Sequence, residues 1–215
     1  PVIITIATLN VYYALLIVFT GGSWIVDLPA EFQRFAQVKL VTFEHPSGYL
    51  YGLSVLTGIW MAAAGLTWFL LGHTPIGRKI FAIGGNPEAA RRAGFDVQRV
   101  ILFVYSYMGM LAGLGGFVQA QLAQIIQPNA IVGRELDVLA AAILGGASIF
   151  GGRGSVPGAV LGVLLIAVMR NGLILMRVSS YWHDVVVGAT LVLAAGVTAY
   201  QQRLAAARVV RVDVE

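Results

Sequence analysis

The feature that most constrains this chain is where charge is missing. No Asp, Glu, Lys or Arg occurs in residues 1–26, in the 32 positions 46–77, or in the 34 positions 100–133. Two shorter charge-free runs follow, 138–152 and 154–169, divided by Arg153. About 20 consecutive apolar residues cross the hydrocarbon core of a bilayer as a helix. The chain is 58% hydrophobic and only 11% charged, with a mean hydropathy of +0.82, and a soluble domain carries about twice that share of charge. An all-α, polytopic membrane bundle follows, with one domain over 1–215.

Six spans are predicted, at about 1–19, 49–71, 100–123, 136–150, 156–176 and 185–200. The mixed stretch 27–45 reads as a short amphipathic helix on the membrane surface, started by Pro29. The fourth run is short for a crossing. It spans by snorkelling of its flanking charges, or it is a broken helix lining a cavity, with Glu135 and Asp137 suited to its N-terminal end. Gly109 with Gly113, and Gly154 with Gly158 and Gly162, recur at four-residue spacing and predict close helix packing. The turn 144–155 is rich in glycine but lacks the G-x-x-x-x-G-K-[ST] spacing of a nucleotide loop.

Several chemistries are excluded. With no cysteine there is no disulfide, thiol nucleophile or thiolate metal site. Neither H-E-x-x-H nor G-x-S-x-G occurs, so no catalytic residue, metal or cofactor is expected, and His73 reads as interfacial. The net charge of +4 calls for no nucleic acid, because basic residues beside apolar spans mark the cytoplasmic side. The middles of the spans carry no ionisable group of the kind that proton-coupled transporters use. A start at Pro1 inside an apolar run predicts that earlier spans are missing.

One polar segment, 76–94, interrupts the lipid-compatible sequence. Asn86 is an N-cap, Pro87 suits the first helical position, Glu88 sits in the positive first turn, and Gly94 can end the helix in the left-handed conformation. Pro87 to Ala93 is therefore a helix of about two turns, too short to stand alone in water and in need of a partner surface. Six alternating spans place nine basic residues on its side of the membrane and five on the other, so the segment is predicted to be cytoplasmic.

The blocks Gly77-Arg78-Lys79, Ala82-Ile83-Gly84-Gly85-Asn86-Pro87-Glu88-Ala89-Ala90-Arg91 to Gly94, and Gln127-Pro128-Asn129 resemble the permeases of bacterial ABC importers for ribose and related sugars. The longest matching block runs from Glu135-Leu136-Asp137 through Leu144-Gly145-Gly146 and Phe150-Gly151-Gly152-Arg153-Gly154-Ser155 to Gly158. Ile6-Ala7-Thr8-Leu9 and Ala14 depart from the family pattern near the first span. Phe19 to Ile25, Leu28 to Glu31, and Tyr181-Trp182-His183-Asp184 look more like the autoinducer-2 and rhamnose branch than the ribose branch.

The resemblance implies a non-enzymatic permease subunit in the bacterial inner membrane, surrounded by lipid. It implies a second permease subunit (identical or different), ATP-binding subunits in the cytoplasm and a periplasmic sugar-binding protein. Residues 86–94 would be the coupling helix seated on the ATPase: Asn86, Pro87, Glu88, Ala89, Ala90, Arg91, Arg92, Ala93 and Gly94. The small residues Ala89, Ala90 and Ala93 would permit close seating. Gln119, Gln121, Gln124 and Asn171 are candidates either for a sugar route or for polar contacts between helices. Branched-chain amino acids and nucleosides are alternative cargoes. A passive channel or membrane scaffold is compatible with composition alone.

Overall fold

A computed structural model describes residues 2–44, 50–128, 130–149, 151–179, 182, 185–190, 192–194 and 196. Outside the described residues lie Tyr49, Asn129, Phe150, Tyr181, His183 and Asp184. The end of the sixth expected span at 197–200, and the tail with Arg203, Arg208 and Arg211, also lie outside them. In chain order the elements are α1 (Val2–Thr20), α2 (Ala30–Gln37), β1 (Lys39–Glu44), β2 (Leu50–Ser54), α3 (Val55–His73), α4 (Pro75–Gly85), α5 (Pro87–Arg92), α6 (Val97–Ala123), α7 (Glu135–Leu144) and α8 (Val156–Leu175). Residues 185–190 and 192–194 are also helical.

The expected helical membrane fold is present. Among the described residues α3, α6 and α8 are each long and apolar enough to cross a bilayer, and the described apolar stretch of α1, Ile4–Thr20, is shorter. The chain divides into two compact units. The first holds Pro1–Leu66 and Phe103–Gly133; the second holds Thr67–Leu102 and Arg134–Glu215.

In the first unit α1 ends where Gly21 and Gly22 take positive φ, 61° and 71°, and Gly22 N–H donates to the Ile17 carbonyl at 3.0 Å. The amphipathic helix expected in 27–45 is α2, but it stops at Gln37. Residues 39–44 are a strand, paired antiparallel with β2 from Lys39↔Ser54 to Glu44↔Leu50. The second expected span is corrected at its start for the same reason. Val41, Thr42 and Phe43 favour extended backbone, and pairing with them draws 50–54 out of the helix. The helix then begins at Val55, and the Ser54 hydroxyl accepts the orphan N–H of Leu56 at 3.2 Å. Phe32 and Phe35 of α2 meet Phe117 of α6 edge-on, with ring centroids 5.9 and 5.7 Å apart. A cavity of about 320 Å³ is lined by Ser54, Leu56, Thr57, Trp60, Val118 and Leu122.

In the second unit, the segment expected to lead into a single short helix holds two. α4 starts at Thr74, whose hydroxyl accepts the Gly77 N–H at 3.3 Å, with Pro75 in the first turn. The fourth expected span, 136–150, is corrected to the 10-residue α7, about 15 Å long and half a crossing. It stops because Gly146 adopts φ +86° and its N–H turns back to the Ile143 carbonyl at 2.9 Å. The chain returns as α8, capped by the Ser155 hydroxyl on Gly158 N–H at 3.2 Å. α7 and α8 then pack with almost no side chain between them. A methyl group on Gly162 would lie 2.9 Å from the Ala141 carbonyl carbon and 3.0 Å from Gly145 N, and Gly158 is pressed against the Gly145 carbonyl. Ala140, Ala141, Ile166 and Val187 form the buried cluster beneath this hairpin.

Candidate functional site

Asn86 is the joint of the site. Its N–H closes α4 on the Ala82 carbonyl at 3.0 Å, and its side-chain oxygen opens α5 by accepting from Glu88 N–H at 3.1 Å and Ala89 N–H at 3.0 Å. Such a cap contributes about 1 kcal/mol, a large share for a six-residue helix. Glu88 stands at the positive end of α5, and Arg91 and Arg92 at the negative end, so all three charges complement the helix dipole.

The far end of α5 is a Schellman turn. Gly94, at φ +83°, donates to the Arg91 carbonyl at 2.9 Å, and Phe95 donates to the Ala90 carbonyl at 3.0 Å. These bonds fold Phe95 back onto a cluster of Ile83, Ala90, Val97 and Val100, with Ile80 at its edge. Asp96 then caps α6, accepting Arg99 N–H at 3.1 Å. The short helix is thus held by the chain's own packing.

That packing sorts the expected coupling residues. Asn86, Pro87, Glu88, Ala89, Arg91, Arg92, Ala93 and Gly94 are exposed. Ala90 is 5% exposed and points into the cluster, so it anchors α5 and does not offer surface to a partner. Small size at position 90 serves the chain's own packing, which the sequence alone does not distinguish from close seating on another protein.

The polar candidates divide similarly. Gln119 is exposed and Gln124 is half-buried with φ +55°, its side-chain amide donating to the Gln121 carbonyl at 2.6 Å. Gln121 is 1% exposed, and neither polar atom of its side chain has a hydrogen-bond partner among the described residues. Asn171 is exposed and belongs to the second unit. Gly109 and Gly113 do not make the close contact expected of them, since a methyl group at either would meet nothing within 4 Å among the described residues.

One pair was not anticipated. Arg170 on α8 donates to Asp137 on α7 at 2.6 Å, with both side chains mostly shielded. The charges flank different apolar runs and are 33 residues apart, so only the hairpin brings them together.

The profile of the family described as "Branched-chain amino acid transport system / permease component" matches residues 1–195. The ribose import permease protein RbsC of Bacillus subtilis (strain 168) is 39% identical over 196 residues, covering 90% of this chain and 58% of that protein. The autoinducer 2 import system permease protein LsrC of Yersinia pseudotuberculosis serotype IB (strain PB1/+) is 34% identical over 203 residues, covering 94% of this chain and 54% of that protein. LsrC of Yersinia pestis (strain Pestoides F) matches to the same extent. The chain therefore spans little more than half the length of these relatives. No solved structure matches it.

Proposed function

Because the chain belongs to this family of transport-system permease components, we propose that it is the membrane-spanning subunit of an ATP-binding-cassette importer for a small sugar or sugar-like molecule. The subunit sits in the bacterial inner membrane and hydrolyses nothing itself. Its energy comes from a separate ATPase docked on the exposed face of α5. A second permease subunit, identical or different, and a periplasmic binding protein complete the assembly. The single observation that carries this reading is α5: a six-residue helix, capped at both ends and anchored by Ala90, that leaves Glu88, Ala89, Arg91 and Arg92 uncovered. A helix this short keeps its shape only when packed against other structure, and its uncovered face is the surface proposed to meet the ATPase.

Sugar is preferred as cargo because the relatives named for ribose and autoinducer 2 match most of the chain. Branched-chain amino acids remain the second reading, on the strength of the family description. Gln119, Gln121 and Gln124, in the first unit, are proposed to contact cargo, and Asn171, in the second, is proposed separately for the same role. The Gln121 side-chain amide, which has no partner among the described residues, supports that role for it over a contact between helices.

The test is reconstitution of the permease with its ATPase and binding protein in proteoliposomes. ATP-dependent entry of labelled ribose or autoinducer 2, but not leucine, is expected. Leucine uptake would move the cargo to amino acids. Failure of any ATPase to co-purify, together with ATP-independent flux, would replace the importer with a passive channel.

A further inference from the structure

The turn between α7 and α8 touches the α4–α5 corner, although the residues in contact, Gly84 and Gly85 with Gly151 and Gly152, are far apart in the chain. A methyl group on Gly84 would lie 2.9 Å from Gly152 N and 3.5 Å from its Cα. One on Gly152 would lie 2.7 Å from Gly85 Cα and 3.0 Å from Gly85 N. Gly151 is pressed against the Gly84 carbonyl. Two stretches of backbone are in direct contact, with no side chain between them to yield.

The turn is shaped for this approach. Gly151 and Gly152 both take positive φ, +87° and +72°, and the loop is closed by Ser148 N–H on the Arg153 carbonyl at 3.0 Å and Gly151 N–H on the Ser148 carbonyl at 3.1 Å. Gly146 also has positive φ, +86°, but nothing lies within 4 Å of a methyl group there among the described residues. Turn shape and close approach are therefore separable: Gly146 serves only the first, Gly151 and Gly152 serve both.

On one side of the contact is Asn86, the single residue about which α5 could swing relative to α4. On the other is a hairpin locked along its length by Gly145 on Gly158, Ala141 on Gly162, and Asp137 on Arg170. Incompressible packing of this kind passes a displacement on rather than absorbing it.

We propose that Gly84, Gly151 and Gly152 are positioning residues for α5: their backbone clasp ties the end of α4, from which α5 departs at Asn86, to the α7–α8 hairpin. A force applied to α5 then passes through the Ile83–Ala90 packing to the end of α4 and on to the hairpin. The inference rests on the reading of α5 as the ATPase contact.

The decisive variant is Gly84→Ala. Position 84 is helical, where alanine is the better residue, so only the clasp is disturbed. Gly152→Ala disturbs the same contact from the other side. Controls are Gly72→Ala, in a helix with no neighbour within 4 Å among the described residues, and Gly146→Ala, strained but outside the clasp. Each is reconstituted with ATPase and binding protein, and four quantities are read: permease abundance, co-purified ATPase, uptake per permease, and the ratio of ATP hydrolysis with and without loaded binding protein.

The expected result for Gly84→Ala is abundance within twofold of wild type, retained ATPase, uptake per permease down tenfold or more, and a stimulation ratio near one. The controls keep uptake per permease within twofold. Wild-type uptake and stimulation in Gly84→Ala overturn the proposal, as does a fall in abundance with uptake per permease unchanged, which marks a purely structural contact. If Gly152→Ala does not accumulate, Gly84→Ala decides alone. Ala89→Glu, on the exposed face of α5, runs in parallel. Wild-type ATPase capture and uptake in it remove the reading of α5 itself. Loss in it beside wild-type behaviour in Gly84→Ala removes only the clasp.

Discussion

Asp137 in the first turn of α7 accepts a hydrogen bond from Arg170 near the end of α8 at 2.6 Å, and this pair closes the open end of the α7–α8 hairpin. The other end is closed by backbone contact between Gly145 and Gly158. A 10-residue helix is short to hold itself together, so α7 depends on both fastenings. Asp137 is therefore more than a carboxylate favourable to a helix N-terminus, the role its position in sequence suggested.

Removing one partner of such a shielded pair takes away a charge-assisted hydrogen bond, worth about 1.5–3 kcal/mol. Asp137→Asn and Arg170→Gln are each expected to lower the melting temperature of the purified permease. The double variant is expected to lose clearly less than the sum of the two. Additive losses across this double-mutant cycle would mean that the two side chains do not act as a pair.

Gly162→Leu is expected to remove most folded protein from the membrane fraction, because the first atom of the new side chain already meets the Ala141 backbone. Gly109→Leu is expected to leave abundance near wild type, since nothing lies within 4 Å of that position among the described residues. Immunoblotting of membranes compares the two directly. Equal loss of both would show that spacing alone decides tolerance, and equal retention would overturn the Gly162–Ala141 contact.

Adjacent alanines in α5 are expected to behave oppositely. Ala90→Glu puts a carboxylate into the Ile83–Val97–Val100 cluster, at a cost of several kcal/mol unless it is protonated or the helix detaches, and should lower thermal stability. Ala89→Glu adds a charge to exposed surface, so stability stays near wild type while ATPase capture and uptake fall. Melting curves and pull-down measure the two effects separately. The reverse pattern would place the partner on the Ala90 side.

Gln121→Leu removes two buried polar atoms that have no partner among the described residues, and melting temperature is expected to hold or rise. Uptake per permease is expected to fall if the amide meets cargo. A marked loss of stability with uptake per permease unchanged would assign Gln121 to packing instead.

Because the chain contains no cysteine, single-cysteine labelling reports topology cleanly. Ala89→Cys is expected to be inaccessible to a membrane-impermeant reagent in intact cells, and Ala30→Cys to be labelled. The opposite result would invert the orientation drawn from the basic residues.

What the sequence determined by itself was whatever depends on near neighbours. The absence of charge over long runs decides that α3, α6 and α8 are apolar helices of bilayer length, because each backbone group in such a helix finds its partner four residues away. The ends of α5 were legible for the same reason: Asn86, Pro87, Glu88 and Gly94 act within one turn of where they stand. Thr74 and Pro75 carry an equally local signal for the start of α4.

Only the tertiary structure decided matters that depend on distant residues. Strand β1 took 50–54 away from the second helix, and the return of α8 joined Asp137 to Arg170. Three-dimensional packing turned Ala90 inward while leaving Ala89 outside. Glycine spacing could nominate contacts but not select among them. Among the described residues Gly158 and Gly162 have a backbone against them and Gly109 and Gly113 do not, because a bare helix face becomes an interface only when another element lies across it.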